Sequence, residues 1–128
     1  MTTSYGQTKK NTTQIGNRGE SAVVSYLESH KHKVIARNWR TKFCEIDIIS
    51  LARNPAGEVE IYFTEVKMRK TGDFGGGLSA ISPTKLRQMH RAAEFFLLKY
   101  PKFRHLQPLL AAADVAADYA VQDFFVIT

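Results

Sequence analysis

The stretch Val59-Glu60-Ile61-Tyr62-Phe63-Thr64-Glu65-Val66-Lys67 reads as an apolar strand that ends in charge. Strand side chains repeat every two residues, so Val59, Ile61, Phe63, Glu65 and Lys67 share one face. A core-facing row that turns acidic and then basic is costly unless those charges find partners.

The preceding residues supply a companion strand, Phe43 to Leu51. Phe43, Glu45, Asp47, Ile49 and Leu51 fall on one face, and Cys44, Ile46, Ile48 and Ser50 on the other. Arg53-Asn54-Pro55-Ala56-Gly57 is a turn sequence, and two strands joined by a short turn pair antiparallel. Centring the turn on Ala56 sets Leu51 against Ile61 and Ile49 against Phe63. The same register predicts Asp47 opposite Glu65 and Glu45 opposite Lys67. Two facing carboxylates weaken a sheet, so a lysine or a metal ion is expected between them.

Moving outward, Val34 to Arg40 reads as a further strand and Gln14 to about His30 as a helix. Gly16, Val23, Val24 and Leu27 group on one side of that helix, and Glu20 falls in the same sector. Two readings of Glu20 stand open: a rim or first-turn position, or a carboxylate turned toward the sheet. On the other side, Ser82-Pro83 is a helix start, with serine as cap and proline at the first position. That helix runs to about Tyr100 and stops at Pro101. Leu86, Met89, Ala93, Phe96, Leu97 and Tyr100 form its expected buried stripe, with His90 read as a packed core histidine. Between the third strand and this helix, Lys70 to Leu78 is expected to be a glycine-rich loop matching neither a Walker loop nor a dinucleotide fingerprint. The alanine-rich tail from Leu109 favours helix by propensity, but Phe124 to Ile127 is strand-like. One or two closing strands with a bend near Ala117-Asp118 are expected.

At 128 residues and 44% hydrophobic content, one domain over residues 14–128 is expected, preceded by a loosely tethered polar segment, 1–13. No apolar run is long enough to span a membrane, and the polar N-terminus lacks the core of a signal peptide. The single cysteine, Cys44, points to a reducing cytoplasm. Net charge is +6, unevenly spread. Residues 1–40 hold seven Lys/Arg against two acids, and 83–105 hold six against one; residues 41–82 hold five against six. Basic blocks flanking an acidic middle suit a polyanion gripped on either side of a carboxylate cluster, and suit a solvated basic surface equally well.

Asp47, Glu65 and Lys67 therefore converge, with Glu20 as a candidate fourth. Carboxylate oxygens suit a hard divalent cation, Mg²⁺ or Mn²⁺. Such an ion orients a phosphate and activates water, and a nearby lysine positions the water or stabilises charge on phosphorus. Zinc is disfavoured, because Cys44 and the four histidines show no ligand spacing.

The ordered set Gly16-Asn17-Arg18-Gly19-Glu20, Arg37-Asn38-Trp39-Arg40, Glu45-Ile46-Asp47, Glu65-Val66-Lys67-Met68-Arg69, and Phe74-Gly75 leading to Lys85 resembles the PD-(D/E)XK, or restriction-endonuclease-like, nucleases. More closely, it resembles the bacterial YraN-type family, which is similar to archaeal Holliday junction resolvases. The resemblance covers roughly residues 14–100. It implies an α/β fold with an αβββαβ core, a mixed central sheet flanked by helices. It implies Asp47, Glu65 and Glu20 as Mg²⁺ or Mn²⁺ ligands, Lys67 as the catalytic lysine, and Lys85, Arg69 and Arg40 as nucleic-acid contacts. DNA, branched or single-stranded, is the implied partner, with a homodimer expected because such resolvases act as symmetric pairs. DNA repair or recombination is the implied setting. Cys44 stands where the family usually has glycine, and Leu109 to Val115 lacks the family's Arg-Phe-Asp, so nothing is carried over to Asp114. The expected function is a metal-dependent endonuclease; the alternative is a nucleic-acid-binding protein that keeps the fold without cutting.

Overall fold

The computed structural model describes residues 14–42, 44–69 and 81–128. The expected glycine-rich loop and the polar segment 1–13 lie outside these residues. Helix α1 (Gln14–Ser29) leads into strands β1 (Lys33–Arg40), β2 (Glu45–Arg53) and β3 (Val59–Met68), followed by helix α2 (Pro83–Lys99), a 3₁₀ turn at Pro101–Phe103, and strands β4 (Gln107–Val115) and β5 (Val121–Val126). The strands form one sheet in chain order. β1, β2 and β3 run antiparallel, β4 is parallel to β3, and β5 is antiparallel to β4. The mixed sheet flanked by helices thus matches the expected αβββαβ order, with one strand added.

The β2–β3 hairpin has the register that its sequence dictates. Leu51 pairs with Ile61 and Ile49 with Phe63. The turn is closed by Asn54, whose amide donates to the Glu58 carbonyl and whose carbonyl accepts from Gly57, both at 2.8 Å. Gly57 takes φ 87°, a conformation in which a Cβ would be strained.

Each face of the sheet buries one helix. On one side, Met89, Ala92, Ala93 and Phe96 of α2 pack on Trp39, Ile46, Ile49, Ile61, Phe63 and Leu110. On the other, Val23 and Leu27 of α1 meet Val34, Ile48, Ala113 and Val115. Ser82 caps α2 as expected, its Oγ accepting from the Lys85 amide at 3.0 Å. His90 corrects an expectation, because it is exposed. The buried stripe runs through residues 89, 92, 93 and 96, and His90 stands one residue, about 100° of helix rotation, outside it.

The tail resolves into two strands. Ala111, Ala112 and Ala113 are fully buried in β4, which lies between the α1 and α2 layers. That burial overrides their helical propensity. Tyr119, at φ 69°, turns the chain into β5.

One departure from strict alternation positions the site. Trp39 and Ile46 pack on the α2 side, whereas Ile48 packs on the α1 side and Arg37 reaches Ser21 of α1. Both β1 and β2 therefore exchange faces between the pairs Arg37↔Ile48 and Trp39↔Ile46. The two residues inside that interval are Asn38 and Asp47.

Candidate functional site

The β2–β3 pairing runs to Ile48↔Thr64. One step further it would set Asp47 against Glu65, the expected pair, but the ladder ends before reaching it. Instead, the Val66 amide donates to Asp47 Oδ2 at 2.8 Å. The Asp47 side chain thus takes the place of the ladder where the two strands part. Burial pushes its carboxyl up to about 8 from the usual 3.8, and the negative charge of Glu65 adds to this. The Val66 hydrogen bond opposes the shift, while Glu20 and Glu45 contribute smaller repulsions.

Glu65 follows Phe63 on the α2 face, and two lysines reach it. Lys85 Nζ, from the first turn of α2, lies 3.5 Å from Glu65 Oε1, and Lys67 Nζ lies 3.8 Å from Oε2. The expected placement of Glu45 opposite Lys67 is corrected, since Glu45 lies 3.7 Å from Arg40. With the ladder broken at Asp47, Glu45 is a β1 partner, paired in register with Arg40.

Of the two readings of Glu20, burial decides for the sheet-facing one. The residue is 6% exposed, and its charge acts on Asp47. Its Oε1 lies 3.7 Å from Arg37, which β1 extends toward α1. Gly19, the preceding residue, permits this approach, because a Cβ there would collide with Met68 Sδ of β3. Acids from α1, β2 and β3 therefore influence one another across the end of the sheet.

The three expected nucleic-acid contacts all have acidic neighbours. Lys85 faces Glu65, Arg40 faces Glu45, and Arg69 Nη2 donates to Asp114 Oδ2 at 2.8 Å. Arg40 is the most open of them, with 46% of its side chain exposed against 28% for Lys85 and 20% for Arg69. Asp114 itself is 4% exposed. Sequence reasoning gave no role to Arg37, Asn38 or Asp114. The available signal was polarity inside otherwise apolar strands. Cys44 is turned toward α2, its Sγ donating to the Gln88 carbonyl at 3.4 Å, and burial raises its thiol pKa, so it is not an activated nucleophile.

Among the described residues, no three His, Cys, Asp or Glu side chains are gathered closely enough to hold a metal ion as they stand. The donor chemistry nonetheless fits a hard divalent cation. Asp47 and Glu65, with Glu20 acting on Asp47 more weakly, offer only carboxylate oxygens, and the Asp47 pKa is raised first by desolvation and then by the charge of Glu65. Among the described residues, no helix is long and apolar enough to cross a membrane.

Fold and site together define a mixed α/β domain whose sheet splits at one end around half-buried acids, with two lysines on one of them. The chain belongs to the family described as Uncharacterised protein family UPF0102, which it matches over residues 19–118. This is the YraN-type family that the motifs resemble. The chain is 40% identical over 88 residues to a UPF0102 protein of Mycolicibacterium vanbaalenii, covering 69% of each chain. It is 41% identical over 83 residues to one of a Mycobacterium species, covering 65% of this chain and 59% of that protein. A UPF0102 protein of Neisseria meningitidis is 40% identical over 82 residues, 64% of this chain and 67% of its own. The matched region contains Glu20, Asp47, Glu65, Lys67 and Lys85.

Proposed function

We propose that this chain is a metal-dependent endonuclease of the PD-(D/E)XK class, hydrolysing phosphodiester bonds in DNA, with branched or single-stranded DNA as the substrate class. The observation that carries the reading is the Asp47–Glu65 pair. A half-buried aspartate with its pKa raised to about 8 beside a second carboxylate is an unfavourable arrangement for stability alone, and that second carboxylate carries two lysines. Asp47, Glu65 and Glu20 would hold Mg²⁺ or Mn²⁺, which when bound supplies charge neutralisation and an acidified water. Binding requires Glu65 to loosen at least one of its lysine contacts.

Lys67, 37% exposed and at the mouth of the site, orients the attacking water or stabilises charge on the phosphorus. Lys85, released from Glu65, meets the phosphate backbone, with Arg40 beside the site. Arg69, where it leaves Asp114, adds a further backbone contact. Two copies acting as a symmetric dimer would cut both strands of a junction.

The second reading is a nucleic-acid-binding protein that keeps this fold without cutting. It is favoured by the lack, among the described residues, of a ready-gathered ligand trio. Incubation with single-stranded, duplex and four-way-junction DNA, with Mn²⁺ or Mg²⁺ and with chelator, separates the two. Metal-dependent cuts that vanish in Asp47→Ala and Lys67→Ala support the nuclease. Tight, salt-sensitive binding without cuts supports the binding protein.

A further inference from the structure

Among the described residues, Asn38 is the one non-glycine with positive φ inside a strand. Its φ is 53°, whereas Lys31 and Tyr119, the other two, lie in turns. The left-handed conformation is what lets β1 exchange faces there, sending Arg37 toward Glu20 and Trp39 toward Phe96. Glycine would take this conformation at no steric cost, and asparagine tolerates it. The chain instead carries an amide, 8% exposed, whose Oδ1 has no hydrogen-bond partner. A buried acceptor without a donor is destabilising, and strain joined to an unsatisfied polar atom is a signature of functional positions. Asn38 also shares with Asp47 the interval between the pairs Arg37↔Ile48 and Trp39↔Ile46.

The missing partner must be a donor. A phosphodiester has no N–H or O–H to offer, and no carboxyl of the site is hydrogen-bonded to Asn38 Oδ1, Asp47 being bonded to the Val66 amide instead. Water donates, and does so more strongly when bound to a cation. We infer that Asn38 is an additional positioning residue of the acidic site, its amide oxygen receiving a hydrogen bond from a water held there. The identification of that water with the shell of a hydrated divalent cation rests on the proposed function.

The amide and the backbone roles of Asn38 separate in the full chain by comparing Asn38→Gly with Asn38→Ala. Asn38→Gly keeps the left-handed turn and is expected to melt at or above the wild-type temperature, while Asn38→Ala melts lower. Calorimetric titration with Mn²⁺ is expected to show affinity reduced about 10- to 100-fold in Asn38→Gly, the usual loss for a group that orients a metal's surroundings. A crystal structure of the metal-free wild type is expected to show an ordered water on Asn38 Oδ1. A dry amide, or an Asn38→Gly chain that binds Mn²⁺ as tightly as wild type, overturns the inference. Should the wild type bind no Mn²⁺, the nuclease reading fails, while the water on Oδ1 still decides the role of Asn38.

Discussion

Asp47 Oδ2 accepts the backbone N–H of Val66 at 2.8 Å, a side chain standing where a strand backbone would otherwise continue the ladder. This one bond holds a carboxylate at the point where β2 and β3 part, with Glu65 on the neighbouring strand. The chemistry assigned to this end of the sheet depends on it.

The Asp47 carboxyl sets a pH dependence. In the native chain it keeps its proton up to about pH 8; in the unfolded chain it releases it near 3.8. The native state therefore binds more protons across that window, and the Asp47 contribution to stability falls as pH rises through it. Asp47→Asn keeps an acceptor for Val66 and removes the titration. Urea melts in chelator are expected to show the Asn variant gaining on wild type between pH 4 and pH 8, by a few kcal/mol and at most ~5 kcal/mol. A difference that stays flat with pH would contradict the assignment.

A divalent cation competes with that proton. Mn²⁺ is expected to raise the melting temperature more at pH 8 than at pH 6. At a hundredfold excess over its dissociation constant the gain is about 2.7 kcal/mol, roughly 10 °C for a domain of this size. Thermal scans of Asp47→Ala and Glu65→Ala are expected to show no such rise.

The two lysines on Glu65 are expected to fail differently. Lys67→Ala lowers the cleavage rate about 100-fold or more, with DNA affinity within a few fold of wild type. Lys85→Ala weakens binding and reduces the salt slope of log K by about one, the signature of one lost phosphate contact. Filter binding over a salt series, run beside single-turnover cleavage, distinguishes them; equal losses in both assays from Lys67→Ala would count against its catalytic role.

Arg69 and Asp114 lie 45 residues apart in sequence and close the β3–β4 seam at 2.8 Å. Either Arg69→Ala or Asp114→Ala leaves a largely buried charge without its partner, at an expected cost of about 3 kcal/mol. The double variant is expected to lose far less than the sum. Additive losses in denaturant melts would show that the pair is not coupled.

Much of the site was legible before the fold. The hairpin register follows from period-two apolar spacing and the Asn54-Pro55-Ala56-Gly57 turn, which together allow one pairing that keeps Ile49, Leu51, Ile61 and Phe63 inside. Glu20 was legible as an acid on an apolar helical stripe. His90 was misplaced because a wheel fixes a residue's angle and not the width of the neighbour it meets. The closing strands were legible from Phe124 to Ile127 against the helical preference of the alanines, which burial between the two helix layers overrides.

By itself, the sequence determined the element order, the hairpin and the nearness of Lys67 to Glu65, because each rests on local spacing and turn chemistry. Only the tertiary structure decided the partners. The face exchange at Asn38 and Asp47 sends Glu45 to Arg40 and Asp47 to Val66. The parallel crossover brings Asp114 to Arg69, and packing of α1 turns Glu20 inward. Those pairings depend on where distant segments come to rest and on which charges lose their water there, and no window of sequence contains either quantity.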